Sequence, residues 1–295
     1  MKKMMQSDHI PVLLNEYLNF FSFSKLHTFL DGTLGAGGHA SAILQHHPEI
    51  KRFIGFDKDQ NALKIAKQSL TQWAAKIEFV NDSFENLDAY LKNDKCDGMF
   101  FDLGMSSMQL ASDRGFSFQK DAPLDMRMNQ VGDITAADVI NEYDEKTLAT
   151  IFKEYGEEPR ANIIAKTLVQ ARKKKPIKTT FDLSDVLRGI VKRRGKLHPL
   201  TKVFQALRIC VNNELEGLKK GLKKAVRHLE KNGRIGVISF HSLEDRIVKN
   251  CFKEEAKNSD MSFHILTKKT IVPSWEERKI NPRARSAKLR FGEIL

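Results

Sequence analysis

The chain has 295 residues, 41% of them hydrophobic and 29% charged, which excludes a disordered protein and leaves enough apolar side chain for one large core or two smaller ones. Its net charge of +12 is unevenly placed: from Arg160 to Lys202 stand 13 Lys+Arg against 2 Asp+Glu, while the other 252 residues hold 36 against 35. Asn15 and Glu16 interrupt the apolar run Pro11 to Phe21, so neither a signal peptide nor a membrane span is expected, and the protein is read as cytoplasmic.

In chain order, the first informative segment is Phe29-Leu30-Asp31-Gly32-Thr33-Leu34-Gly35-Ala36-Gly37-Gly38-His39. An apolar run ends in an acid, a glycine-rich turn follows, and then helix-forming sequence from His39 to His47. This reads as the first strand, loop and helix of a nucleotide-binding α/β sheet. Gly35, Gly37 and Gly38 lack a Cβ, so a ligand can approach main-chain N–H groups at the helix start. A second strand, Arg52 to Phe56, ends at Asp57, nineteen positions beyond Gly38. Asp57 either binds the ribose hydroxyls of an adenosine or caps the helix beginning near Asn61. Lys76 to Val80 and Gly98 to Phe101 read as further strands, running into Asn81-Asp82-Ser83-Phe84 and Asp102-Leu103-Gly104. Four strands therefore finish in polar residues at one sheet edge, where open parallel sheets bind ligands.

The α/β rhythm then stops. Leu148, Ile151, Phe152 and Tyr155 recur at helical spacing behind Asp144 as N-cap; Ile163, Ile164, Thr167 and Leu168 continue the pattern until Pro176. Thr180 is the expected cap of the next helix, which carries Leu183, Val186, Leu187 and Ile190 and ends near Gly195. A long helix is expected from Thr201 to Lys231, after which Arg234 to Phe240 reads as a returning strand. The domains are accordingly 1–112 and 214–295, an α/β domain in two parts, with 113–213 inserted as a basic helical domain. A chain that leaves and re-enters one sheet predicts a cleft beside the insertion. Within the insertion, Arg172-Lys173-Lys174-Lys175 and Lys192-Arg193-Arg194 are either the footprint of a polyanion or a solvated helix face; the segregation of charge favours nucleic acid.

The loop reads G-A-G-G-H rather than G-x-G-x-x-G, and no Walker lysine follows it, which argues against a nucleoside triphosphate. Further acids at the ends of later strands suit the sulfonium of S-adenosylmethionine at least as well as a nicotinamide. Cys96, Cys210 and Cys251 form no C-x-x-C pair and read as reduced packing residues, so no metal site is expected.

Seven further motifs, in order, complete the pattern: His9 to Leu14, Asp102-Leu103-Gly104-Met105-Ser106-Ser107-Met108-Gln109-Leu110, Arg114 to Phe118, Pro123 to Met128, Phe204 to Arg208, Ser239 to Arg246, and Asn281 to Ser286. With the glycine loop, they make the chain resemble, over nearly its whole length, the RsmH (MraW) family, bacterial S-adenosylmethionine-dependent methyltransferases acting on the exocyclic N4 of a cytidine in small-subunit (16S) ribosomal RNA. The resemblance implies a Rossmann-like class I methyltransferase sheet with an inserted helical domain, and small-subunit ribosomal RNA or the small subunit as partner. It implies that Gly37, Gly38 and His39 line the methionine end of the cofactor, that Asp57 holds the ribose, that Phe84 lies beside the adenine, and that Asp102 and Gln109 complete the pocket. On the residues alone, Phe84 reads as a core aromatic and Gln109 as a helix-surface amide. Met105 and Met108 depart from the Val and Pro common in the family, which puts the geometry of the loop after Asp102 in question.

A sulfonium methyl is already electrophilic, so the expected catalytic task is alignment, plus a hydrogen-bond acceptor for the amine N–H. Asp102 is the first candidate acceptor and His241 the second, the latter competing with a structural reading in which Ser242 and Glu244 cap the next helix. Arg283, Arg285, Lys288 and Arg290 are candidate phosphate contacts. A non-catalytic RNA-binding assembly factor with a vestigial pocket, a DNA methyltransferase and a nicotinamide oxidoreductase are the competing functions.

Overall fold

The computed structural model describes residues 11–22, 25–131, 134–191, 198–258 and 262–295. Part of the first family motif (His9-Ile10), the run Lys192-Arg193-Arg194 and Gly195 lie outside the described residues. Two compact units are present: Met1–Gly104 with Leu215–Leu295, and Met105–Glu214.

The first unit is built on a seven-stranded sheet of order β3-β2-β1-β4-β5-β7-β6. Its strands are β1 (Thr28–Asp31), β2 (Arg52–Phe56), β3 (Ile77–Val80), β4 (Cys96–Asp102), β5 (Leu229–Ser239), β6 (Phe263–Ile265) and β7 (Lys288–Ile294). β1 to β5 are parallel and β7 runs antiparallel between β5 and β6. Both faces are covered, as a parallel sheet requires, and the strands are correspondingly apolar along their length. Phe29, Phe53, Phe100 and Phe291 anchor one face; Leu30, Ile54, Phe56, Met99 and Phe101 anchor the other.

The helices of this unit before the second one are α1 (Leu14–Phe21), α2 (Gly38–His46), α3 (Gln60–Ser69) and α4 (Leu87–Leu91). The second unit holds α5 (Ser107–Ala111), α6 (Ala136–Glu142), α7 (Glu145–Glu154), α8 (Ala161–Arg172), α9 (Thr180–Leu187) and α10 (Thr201–Asn212), with a core of its own including Phe152, Leu168, Leu183 and Leu207. The chain then continues through α11 (Glu214–Arg227), α12 (Ser242–Glu255) and α13 (Trp275–Ile280). The second unit starts at Met105 rather than Asp113, because Met105 and Leu110 pack against that separate core.

Several local expectations need correction. The helix expected from Thr201 to Lys231 is two helices, broken at Asn213, whose φ of +48° is left-handed. β5 begins at Leu229 rather than Arg234: Cys96 pairs with Leu229 and Gly98 with Arg234, so residues between them form a bulge with Asn232 at φ +63°. The cap of α9 is Thr179, in a reciprocal capping box with Asp182, while Thr180 ties its hydroxyl to Lys120 O at 2.7 Å. α9 ends at Leu187, since Arg188 is extended and Gly189 has φ +79°. Asp144 does cap α7, accepting from Thr147 N.

Cys96, Cys210 and Cys251 are not disulfide-bonded, and burial pushes the Cys96 and Cys251 thiols up to about 12. Among the described residues no helix is long and apolar enough to cross a membrane.

Candidate functional site

The carboxyl edge of the parallel strands gathers the glycine turn and a group of acids. Asp31 ends β1, is buried, and accepts from Thr33 N at 3.0 Å. Gly32 N donates to Phe100 O and Leu34 N to Phe56 O, so the turn is laid across β4 and β2. Thr33 Oγ1 in turn accepts the Asp102 N–H at 2.6 Å, fixing the end of β4. Gly37, the N-cap of α2, has φ +88°, and a Cβ there would stand 2.9 Å from Leu70 Cδ1. At Gly38 a Cβ would stand 2.9 Å from Pro11 Cγ. Only glycine satisfies both positions without displacing neighbours.

Asp57 follows β2 and accepts Gly35 N through Oδ2 at 2.8 Å and Asp59 N through Oδ1 at 2.8 Å. It therefore braces the glycine turn. The cap of α3 is Asp59, which accepts Asn61 N at 3.0 Å, so the capping alternative for Asp57 falls away. Burial pushes the Asp57 carboxyl up to about 6, against hydrogen bonds that lower it; burial and the charge of Asp57 push Asp31 up to about 7.

Asp102 closes the group. Its Oδ1 is buried without a hydrogen-bond partner, and its Oδ2 lies 3.5 Å from Nδ1 of His39. Burial, with the nearby charges of Asp31 and Glu244, holds its carboxyl well above the usual range. His39 is buried against Tyr17 and Phe100 and bonds Val12 O through Nε2 at 3.0 Å. Tyr17 adds a buried hydroxyl without a partner, within reach of the Asp31 charge. Asp31, Thr33 and Tyr17 were not singled out as site residues from the sequence. Asp31 carried a signal, being the acid at the first strand end; Tyr17, on a separate helix, carried none.

Phe84 lies beyond β3, half-buried, edge-on to Phe101 with ring centroids 5.1 Å apart. Gly221 of α11 lies against it, where a Cβ would come within 2.3 Å of the ring. His241 is the N-cap of α12: its Nδ1 accepts Glu244 N at 3.3 Å, and Glu244 Oε2 accepts Phe240 N and His241 N at 2.8 and 3.2 Å. The cap residue is thus His241 itself, with Glu244 as its reciprocal partner. Ser242 is the first residue of α12. In the second unit, Gln109 is buried and forms a capping box with Ser106 on α5, so it is not a helix-surface amide.

The cationic residues divide. Lys288 and Arg290 both pair with Asp245, at 3.3 and 2.8 Å, which removes them as free phosphate contacts. In the second unit, Arg160 and Arg172 donate to the carbonyls of Ile190 and Ile140, and Lys175 pairs with Asp182. Lys166, Lys173, Lys174 and Lys178 are exposed.

Comparison with known proteins places these residues in a wider group. The family model described as the MraW methylase family matches residues 6–295. The ribosomal RNA small subunit methyltransferase H of Sulfurihydrogenibium sp. strain YO3AOP1 is 48% identical over 292 residues, covering 97% of this chain and 98% of that one. The protein of the same name from Persephonella marina is 47% identical over 292 residues, covering 97% and 99%. Among solved structures, a candidate rRNA methylase from Clostridium thermocellum superposes with a TM-score of 0.50 at 14% identity, over 97% of this chain and 99% of that one. At that identity the likeness shows the fold alone, the class I methyltransferase fold.

Proposed function

This chain belongs to the MraW methylase family, and we propose that it transfers a methyl group from S-adenosylmethionine to the exocyclic N4 of a cytidine in small-subunit ribosomal RNA. The observation that carries the cofactor assignment is the glycine turn set among Asp31, Asp57 and Asp102. Buried acids held above their usual range gain from a bound cation and repel a phosphate, so the donor set fits a sulfonium on a phosphate-free adenosine.

Gly37, Gly38 and His39 are assigned to the methionine end, Asp57 to the ribose hydroxyls and Phe84 to the adenine. The resemblance adds Gln109. When bound, the cofactor would supply an electrophilic methyl group, its sulfur keeping the electron pair of the broken S–C bond as a neutral thioether. The chain's own task is to orient the amine and take its proton. Asp102 is assigned as that acceptor: its unpartnered Oδ1 is available to an N–H, and a hydrogen bond there favours the pyramidal, nucleophilic nitrogen. As the N–C bond forms, the amine proton passes to the carboxylate. His241 is the second assigned group; its Nδ1 is committed to the α12 cap, which leaves Nε2, 3.1 Å from Glu244 Oε1, as its other polar atom.

Lys166, Lys173, Lys174 and Lys178 support an RNA partner, because each phosphate neutralised releases counterions. The 48% and 47% identical relatives bear names that specify the small subunit. The test is binding of radiolabelled S-adenosylmethionine to the purified protein, followed by transfer of label to unmodified small subunits. Saturable binding with transfer is expected. Binding without transfer to any ribosomal RNA would favour an assembly factor that retains only the pocket.

A further inference from the structure

The segment from Lys268 to Ser286 carries six Lys+Arg against two acids, and its helix α13 exposes one of the protein's two tryptophans. Trp275 is 66% exposed and Ile280 70% exposed, with the ammonium of Lys279 5.2 Å from the Trp275 ring centroid. Arg278, Lys279 and Arg285 are also exposed. Lone exposed apolar residues are ordinary, but an indole with a lysine ammonium over its ring, on a segment rich in Lys and Arg, is a surface on which a nucleobase stacks while its phosphates are neutralised.

Position gives this surface its meaning. β7 is antiparallel and pairs Lys288 with Ser239, so the residues leading into it lie at the carboxyl edge of the parallel strands. The segment is firmly seated there: Ile271 and Leu289 exchange backbone hydrogen bonds, and Ala284 and Ala287 are buried in the core. Glu277 Oε1 accepts the N–H of Leu13 at 2.8 Å, and the adjoining Val12 carbonyl accepts His39, which faces Asp102. Two hydrogen bonds and one peptide unit thus connect the Trp275 helix to the residue that faces the assigned proton acceptor.

We infer that Trp275, with Lys279, Arg278 and Arg285, is a stacking platform for an unpaired nucleotide flanking the target base. This rests on the RNA methyl-transfer reading and adds a binding element outside the basic inserted segment. A base brought out of a helix leaves unstacked neighbours, and an aromatic face beside the site compensates for part of that loss.

The test uses the full chain with Trp73→Phe, which leaves Trp275 as the sole tryptophan reporter, since the protein has two. Titration with a single-stranded oligoribonucleotide is expected to quench its fluorescence saturably, and more weakly as salt rises. In the otherwise native chain, Trp275→Ala is expected to raise the KM for small subunits roughly 5- to 100-fold, the range for loss of one stacked base. Cofactor affinity and thermal melting should be unchanged, and Trp275→Phe should restore most of the loss. Absence of quenching, an unchanged KM, or equal rescue by Trp275→Leu would overturn the inference; the last would indicate an apolar protein contact instead. Because quenching is read without turnover, it separates failure of this surface from failure of the methyl-transfer reading.

Discussion

His39 faces Asp102 with the wrong nitrogen for a hydrogen bond from a neutral imidazole to a carboxylate. Its Nε2 lies 3.0 Å from the carbonyl of Val12, a contact that requires a hydrogen on that nitrogen. Nδ1, 3.5 Å from Asp102 Oδ2, then bears a lone pair unless the ring is doubly protonated. One proton between the two groups satisfies the arrangement, and it must rest on His39 for Asp102 to be the carboxylate that serves as the proposed acceptor.

Asp102→Asn removes the proposed acceptor, which should lower methyl transfer by about 10²- to 10⁴-fold. Stability should move the other way. The folded carboxyl is held above its unfolded value, so ionising it costs folding free energy as pH rises from about 4 through the folded value. The amide has no such cost, and thermal melts at pH 8 should show the variant as stable as the wild type or more so. A large loss of stability at pH 8 would contradict the geometry described.

Cofactor binding should release protons. A bound cation favours the ionised forms of Asp31, held at about 7, and Asp57, held at about 6. Calorimetric titrations at pH 6.5 in buffers of different ionisation enthalpy should reveal proton release with S-adenosylmethionine, and less with the neutral S-adenosylhomocysteine. The difference should shrink by pH 9, where these acids are already ionised. Equal release by both ligands would sink the proposed pairing of sulfonium with carboxylates.

Gly221→Ala should weaken cofactor binding from a distance. The added methyl would come 2.3 Å from the Phe84 ring, so the ring or α11 must shift. Overpacking of this kind costs about 1–3 kcal/mol. The expected readout is a Tm decrease together with a cofactor Kd raised by about tenfold, measured by equilibrium dialysis. An unchanged Kd would detach Phe84 from the adenine.

Arg208 and Glu214 form a two-pronged pair at 2.8 and 2.9 Å, both side chains nearly buried. Glu214→Ala should destabilise the protein by about 3–5 kcal/mol, because a buried guanidinium then loses its counterion. Replacing both with apolar residues should recover much of that loss in denaturant melts. Additive losses in the double variant would argue against the pair.

The sheet was legible because β1 to β4 each present a short apolar run followed by a polar residue, a pattern that depends on local sequence alone. The glycine turn was legible for the same reason: Gly37 occupies a left-handed position and its loop falls between a strand and a helix. What escaped the sequence depends on tertiary partners. Asn213 breaks a helix that periodicity carries straight through, and the β5 bulge is set by pairing with Cys96. Lys288 and Arg290 read as free cations because Asp245, their partner, is more than forty positions away. Arg208 belonged to a recognisable motif, but only its contact with Glu214 says what it does.

Cytidine N4 methylation is read by incubating the protein with unmodified small subunits and labelled S-adenosylmethionine, then digesting the RNA for nucleoside mass spectrometry. The wild type should yield N4-methylated cytidine, and Asp102→Asn little or none. Label in another nucleoside, or none despite cofactor binding, would contradict the N4 assignment.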